Sequence, residues 1–409
     1  MIELLAPAGG MSQLKAALRY GADAVYGGAK NFGLRAFAGN FERDELQTAI
    51  RLCHENGKRF YITLNILPYD EDLDGMTATA LEAYEMGADA AIVSDPGLIL
   101  RLSKEVPKLE IHVSTQANVM NSETAKVFQT LGAKRIVLAR EMSLERIRAL
   151  RDKVDESVEL EAFCHGAMCM SYSGRCMLSD HLAARGGNKG ACAQPCRWQY
   201  ALVEQKRPGE YIPIGEDERG TYLLSAYDLC MIEHLPQMLK AGITSLKIEG
   251  RMKTAYYVAT VTNAYRRALE ALEKGEEEYR ALLPDLIGEL KKASHRAWNT
   301  GFFFGAPSPA SGAEGFTQQM EFTGEVIENG TGRILIMIRN RFYQGDQLEA
   351  LTPSGPLPVY VKRILLEDGT EVPTVSIAGQ KVWIETDVVL SGGDLLRGPN
   401  RNHQGGKKE

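Results

Sequence analysis

Through residue 273, stretches with apolar residues at helical spacing alternate with short, nearly unbroken apolar runs. A glycine stands at many of the junctions. The junction recurs as Tyr20-Gly21-Ala-Asp-Ala-Val25, Met86-Gly87-Ala-Asp-Ala-Ala-Ile-Val93, Leu131-Gly132-Ala-Lys-Arg-Ile-Val137 and Ala241-Gly242-Ile-Thr-Ser-Leu-Lys-Ile248. Glycine just past a helix accepts a positive φ that a side chain would strain. The apolar run behind it reads as a strand buried on both faces. Strands are expected near 3–6, 23–27, 59–65, 89–94, 110–114, 134–139, 158–164 and 243–248, and helices near 11–20, 43–56, 74–86, 97–104, 122–131, 143–153, 228–241 and 254–273. Ser143 is expected to cap the helix it opens, with Glu145 and Arg148 as an i, i+3 pair. Eight strands alternating with helices predict an α/β fold, a TIM-like (β/α)8 barrel. The open doubly wound sheet is the alternative; no Gly-x-Gly-x-x-Gly follows the first strand to support it.

Two regions depart from this rhythm. Between the seventh and eighth strands lies a long insertion, about 165–228, expected to hold a hairpin built from Tyr200-Ala-Leu-Val and Tyr222-Leu-Leu. Connections of that length carry substructure or function. After residue 273 the pattern changes: 274–315 reads as a charged helix, in which Pro284 marks a break or a fresh start, and a Pro/Ser/Gly/Ala linker. Residues 316–400 read as a small antiparallel β-barrel with turns at Asn329-Gly330 and Gly392-Gly393, and 401–409 as a disordered tail. The barrel with its insertion thus spans 1–273.

Composition narrows the class. No apolar run is long enough to cross a bilayer, and Met-Ile-Glu-Leu-Leu lacks a basic secretory lead, so a cytoplasmic enzyme with no membrane partner is expected. The net charge of −6 gives no bulk attraction to nucleic acid. The insertion is the exception: Arg175, Arg185, Lys189, Arg197, Lys206 and Arg207 outnumber Asp180 and Glu204. It is a candidate phosphate-contact surface, or a solvated basic loop.

Chemistry in such barrels sits at the C-terminal ends of the strands. Those ends carry Asn65, Ser94-Asp95, Ser114-Thr-Gln116, Arg140-Glu141, Glu161 to His165 and Lys247-Ile-Glu249-Gly-Arg251. Ser94, Asp95 and Ser114 read first as helix caps. Lys247, Glu249 and Arg251 alternate on one face, suiting an anionic ligand or an ion-pair network. Five of the seven cysteines fall within Glu161–Cys196, and Cys230 follows. In a reducing compartment such a cluster points to metal or catalysis before disulfides. Only Cys192 and Cys196 have the spacing of a zinc knuckle, so iron–sulfur, zinc and unliganded thiols all stay open on spacing.

Glu161-x-Phe163-x-x-Gly166-Ala167-Met168-Cys169, Gly174-x-Cys176-x-Leu178-Ser179, Asn188-Lys-Gly-Ala-Cys-Ala-Gln-Pro-Cys-Arg-Trp198 and Lys247-Ile-Glu-Gly-Arg251 together resemble the peptidase U32 family. Across nearly its whole length the chain is similar to the members that hydroxylate tRNA. The resemblance implies oxygen-independent formation of 5-hydroxyuridine at the wobble position, a 4Fe–4S cluster and prephenate as hydroxyl donor. It implies Cys169, Cys176, Cys192 and Cys230 as cluster ligands, with Cys196 able to replace one. Cys164 is expected to pack or line the pocket. On that basis Lys247, Arg251, Arg140 and Gln116 are candidate substrate contacts, the cations for a dicarboxylate donor, and Glu161, Glu249 and His165 are candidate acid/base groups. The uridine would leave its stack and enter from the basic insertion. A homo-oligomer or a paralogous partner subunit is left open. Competing readings are a collagenase-like peptidase, a hydroxylase of rRNA or of a quinone precursor, and a metal-stabilised tRNA-binding adaptor without catalysis. Neither His-Glu-x-x-His nor Gly-x-Ser-x-Gly is present to support the peptidase.

Overall fold

The computed structural model describes residues 2–34, 38–169, 171–172, 174–198, 202–203, 211–212, 216–217, 220–221, 227–305 and 316–401. Two compact units emerge. The first comprises Met1–Leu14, Ala22–Lys253 and Arg296–Phe316; the second is built from Lys15–Gly21, Thr254–His295 and the chain from Thr317 onward.

The first unit holds eight parallel strands: β1 (Glu3–Pro7), β2 (Ala24–Gly27), β3 (Arg59–Leu64), β4 (Ala90–Val93), β5 (Glu110–Val113), β6 (Ala133–Val137), β7 (Glu159–Ala167) and β8 (Ser245–Ile248). Each pairs with the next, and β8 pairs with both β7 and β1, so the sheet closes into a TIM-like barrel. The junction glycines do what the pattern requires: Gly21, Gly87, Gly132 and Gly242 all have φ between +93° and +102°. Leu5, Ala24, Tyr26, Tyr61, Ala90 and Ile92 form one buried cluster on these strands. Ser143 accepts a hydrogen bond from the Arg146 amide at 3.3 Å and caps its helix, while Arg148 pairs with Asp152 rather than Glu145.

The expected helix over 228–241 is in fact two elements. Asp228–Cys230 is a strand, and only Leu235–Lys240 is helical. The strand pairs antiparallel with the last residues of β7, Cys230 opposite His165, and parallel with Trp298–Asn299. Within the insertion, antiparallel pairs join Leu202–Val203 to Tyr211–Ile212 and Glu216–Asp217 to Gly220–Thr221. Tyr200 and Tyr222-Leu-Leu lie outside the described residues, as do the 306–315 linker and residues 402–409 of the tail.

In the second unit, Pro284 does not break the charged helix, which runs Glu276–Lys292 without interruption. Seven antiparallel strands order as 355–360, 347–352, 395–399, 320–330, 333–338, 381–385 and 363–366. Val359 and Ile364 from the two edge strands enter one core with Val326, Ile336 and Leu396, so the sheet curls around it. Beside this core, Arg397, fully buried, pairs with Glu289 at 2.5 Å and with Glu349.

Glycine packing gives a direct check on the first unit. A Cβ at Gly9 would lie 2.1 Å from the carbonyl oxygen of Arg251, whereas nothing lies within 4 Å of one at Gly288 in the long helix of the second unit. Gly9→Ala is expected to destabilise the protein by about 1–3 kcal/mol through overpacking. Gly288→Ala should stabilise it by about 0.5–1 kcal/mol through lost backbone entropy in the unfolded chain. Urea unfolding of the two variants measures both signs.

Candidate active site at the barrel mouth

Strand register sets the site from below. Glu3, Ser245 and Glu161 are register neighbours on β1, β8 and β7, and neighbours in a parallel sheet point to the same side. Arg135 of β6 reaches into this layer. Its guanidinium donates to Glu161 Oε2 at 3.0 Å and to Glu159 Oε2 at 2.7 Å, and also pairs with Glu3. Ser245 Oγ lies 2.9 Å from Glu3 Oε1 and 3.1 Å from Glu161 Oε2, its one proton shared between the two carboxylates, and Tyr61 OH donates to Glu3 at 2.6 Å. One layer up, Lys247 Nζ donates to Glu161 Oε1 at 2.7 Å and lies over the Tyr26 ring at 4.4 Å. Burial alone would raise the Glu161 carboxyl, but Lys247 and Arg135 hold it down to about 2. Burial holds the Lys247 ammonium below the usual lysine range, against the pull of Glu161. Glu161 is therefore an ionised, fully enclosed anchor.

Above this layer opens a cavity of about 150 Å³. Its floor is cationic: Arg140, Lys247 and Arg251 all line it, with Glu249 among them. Arg251 Nη1 donates to Thr63 Oγ1 at 2.9 Å and Nη2 to Asn40; a Cβ at Gly28 would sit 2.4 Å from that Nη2, so glycine there makes the room. Arg140 lies 3.9 Å over the Phe163 ring, donates from Nη1 to the Ala167 carbonyl at 2.8 Å, and approaches Glu249 to 3.9 Å. Its buried Nε has no hydrogen-bond partner among the described residues. A preorganised set of guanidinium and ammonium groups in a partly dry cavity suits a carboxylate or phosphate ligand.

The roof is the cysteine segment. Cys169, Cys176, Cys192 and Cys196 all line the cavity. Protein contacts hold this segment on the rim. The Leu67 amide donates to the Asn188 carbonyl at 3.1 Å, Lys189 pairs with Asp72, and a Cβ at Gly190 would lie 2.6 Å from the Gly33 carbonyl oxygen. An all-thiol donor set fits an iron–sulfur cluster or zinc in kind. Among the described residues, no three His, Cys, Asp or Glu side chains are gathered as a metal site needs.

The model for Peptidase family U32 matches residues 9–312. The chain belongs to peptidase family U32. The model for the family's C-terminal domain matches residues 318–397. Relatives include the tRNA hydroxylation protein P of Escherichia coli (strain K12), 35% identical over 97% of this chain and 96% of its own. The tRNA hydroxylation protein P1 of Bacillus subtilis (strain 168) is 36% identical, over 97% of this chain and 94% of its own. An uncharacterized protease of Methanocaldococcus jannaschii is 43% identical, over 74% of this chain and 73% of its own.

In this U32 chain, Gln116, Arg140, Lys247, Glu249 and Arg251 come together in the cavity, whereas Glu161 and His165 do not line it. His165 is buried on β7, its ring edge-on to Trp298 with centroids 6.0 Å apart. Cys230 sits on the strand opposite His165, away from the cavity lining. Cys164 is buried and donates weakly to the Lys247 carbonyl at 3.5 Å. Asp95 caps its helix through the Leu98 amide at 2.8 Å; Ser94 donates to the Ile66 carbonyl at 2.9 Å. Ser114 caps the turn Thr115–Ala117 and lines the cavity as well. Of the basic insertion, Arg175 is exposed, while Arg185 donates to the Ala191 carbonyl and Lys189 is paired. Lys206, Arg207 and the Arg197 side chain lie outside the described residues. Arg135 was not among the residues singled out by sequence. The available signal was a charged residue at an inward position of a strand otherwise apolar on that face.

The Glu161 network has a pH signature. The carboxyl titrates lower in the folded chain than in the unfolded one, from an ordinary 4.5 down to about 2. Its contribution to stability is complete above the ordinary value and is lost as pH falls toward the folded one. Glu161→Gln is expected to cost about 3–5 kcal/mol at neutral pH, because it leaves buried cations short of their anion. The variant should also lose part of the acid-side slope. Denaturant titrations across that pH window measure both.

Proposed function

We propose that this chain hydroxylates the wobble uridine of tRNA to 5-hydroxyuridine without molecular oxygen, drawing the hydroxyl from a dicarboxylate such as prephenate. One observation carries the reading: similarity to two tRNA hydroxylation proteins covers 97% of the chain. The cavity is consistent with it. Arg140, Lys247 and Arg251 present cations to a donor carboxylate, and Glu249 is the cavity carboxylate available to move a proton. Glu161 is better suited to hold Lys247 than to exchange protons. Cys169, Cys176, Cys192 and Cys230 would hold a 4Fe–4S cluster, with Cys196 able to take the place of Cys192. Such a cluster supplies one-electron chemistry beside the cavity when bound. No helix among the described residues is long and apolar enough to cross a membrane. For the peptidase alternative, no histidine lines the cavity among the described residues to serve as base to a nucleophile.

Nucleoside mass spectrometry of tRNA from a strain lacking this gene tests the reading. The expected result is loss of hydroxyuridine-derived wobble nucleosides, restored by the wild-type copy. Unchanged levels, with no paralogue to mask the loss, would contradict it. Protein purified without oxygen should be brown, and Cys169→Ala colourless. Cys192→Ala and Cys230→Ala should lose the visible band and Cys196→Ala keep it; a band kept in Cys192→Ala and lost in Cys196→Ala assigns the third ligand to Cys196. A colourless, zinc-loaded protein with full activity would exclude the cluster.

A further inference from the structure

We propose that Tyr172 and Gln116 form the base-binding wall of the cavity, where Tyr172 stacks on a pyrimidine turned out of an RNA strand and Gln116 reads its edge. The inference rests on the RNA-modifying reading above. Tyr172 lines the cavity yet is 51% exposed, so a large aromatic face at a polar rim is left to water. Base faces stack on such rings whatever the base, and a base must leave its own stack to be modified.

Gln116 supplies what stacking lacks, which is edge recognition. Its backbone is fixed. The Gln116 amide donates to Ser114 Oγ at 3.3 Å, the Ala117 amide to the Ser114 carbonyl at 3.0 Å, and Thr115 Oγ1 to the Leu138 carbonyl at 3.1 Å. Its carboxamide makes no hydrogen bond to the described residues. The cavity's other amides are engaged: Asn65 accepts from the Leu34 amide and donates to Ser114, and Asn188 donates to the Cys176 carbonyl. A carboxamide offers one acceptor and two donors, the complement of the alternating carbonyl and N–H groups on a pyrimidine edge.

The two residues belong to one wall. Gly174, at φ +75°, lies so close to the Gln116 backbone that a Cβ there would be 2.3 Å from the Gln116 carbonyl oxygen. That contact ties the segment carrying Tyr172 onto the Gln116 turn. The cations Arg140, Lys247 and Arg251 belong to the floor. The cavity therefore divides by chemistry, an anion on the floor and a flat, uncharged ring on this wall.

The test compares two anticodon stem–loop RNAs, one with uridine at the wobble position and one abasic there, bound to full-length protein purified without oxygen and read by fluorescence anisotropy. Wild type should prefer the uridine loop about tenfold, the order expected for one stacked base. Tyr172→Ala should bind both loops alike, at the wild-type abasic affinity, and Tyr172→Phe should keep the preference. Gln116→Ala should lose several-fold for the uridine loop and nothing for the abasic one, which gives an independent reading if Tyr172→Ala folds poorly. A preference that survives in Tyr172→Ala and Gln116→Ala overturns the inference while leaving the RNA reading intact. Wild type that binds neither loop overturns the RNA reading itself.

Discussion

A single buried carboxylate organises the lower half of the site. Glu161 sits at full burial between the guanidinium of Arg135 and the ammonium of Lys247. Three charges in a barrel interior are costly to desolvate, and only close pairing with complete hydrogen bonding offsets that cost. Here Lys247 and Arg135 take one Glu161 oxygen each, and Glu3 and Glu159 accept from further Arg135 donors. Strand register makes this possible: closing the barrel through β8 brings Glu3, Ser245 and Glu161 side by side. Lys247 is the consequence that matters above, because a lysine tethered from below presents a fixed cation to the cavity.

The upper half depends on different contacts. The cysteine segment follows β7, which runs to Ala167 and pairs with Asp228–Cys230. Gly174 on Gln116, Gly190 on Gly33 and Lys189 on Asp72 then fasten it at three points around the rim. Four thiols thus line a cavity whose roof is held by protein contacts. A cluster bound there would sit on a segment that these contacts also hold to the rim.

The barrel was legible because its signals are local. A glycine at each helix end and an apolar run behind it depend on φ and burial alone, and both are written in neighbouring residues. Strand-end chemistry was legible for the same reason, and Lys247, Glu249 and Arg251 do line one cavity. What escaped depends on distant pairing. Asp228–Cys230 stands just before a helical stretch, and pairing with the projecting end of β7 and with Trp298–Asn299 makes it a strand. Arg135 looks like half of a solvated Lys-Arg pair until register turns Lys134 outward and Arg135 inward. His165 stands at a strand end rich in functional groups, but its ring packs on Trp298 rather than lining the cavity. Pro284 sits in the interior of a helix whose length and tertiary packing outweigh its local penalty.

The proposed reaction, hydroxylation of a tRNA uridine without molecular oxygen, would use this cationic cavity and its thiol roof together. The most direct measurement is an anaerobic reaction of the purified protein with unmodified tRNA and prephenate, followed by nucleoside mass spectrometry. 5-Hydroxyuridine is expected to appear without oxygen and to be abolished by Arg251→Met, which removes a floor cation while keeping an apolar side chain of similar length. Hydroxyuridine that forms equally well in Arg251→Met, or only when oxygen is admitted, would contradict it.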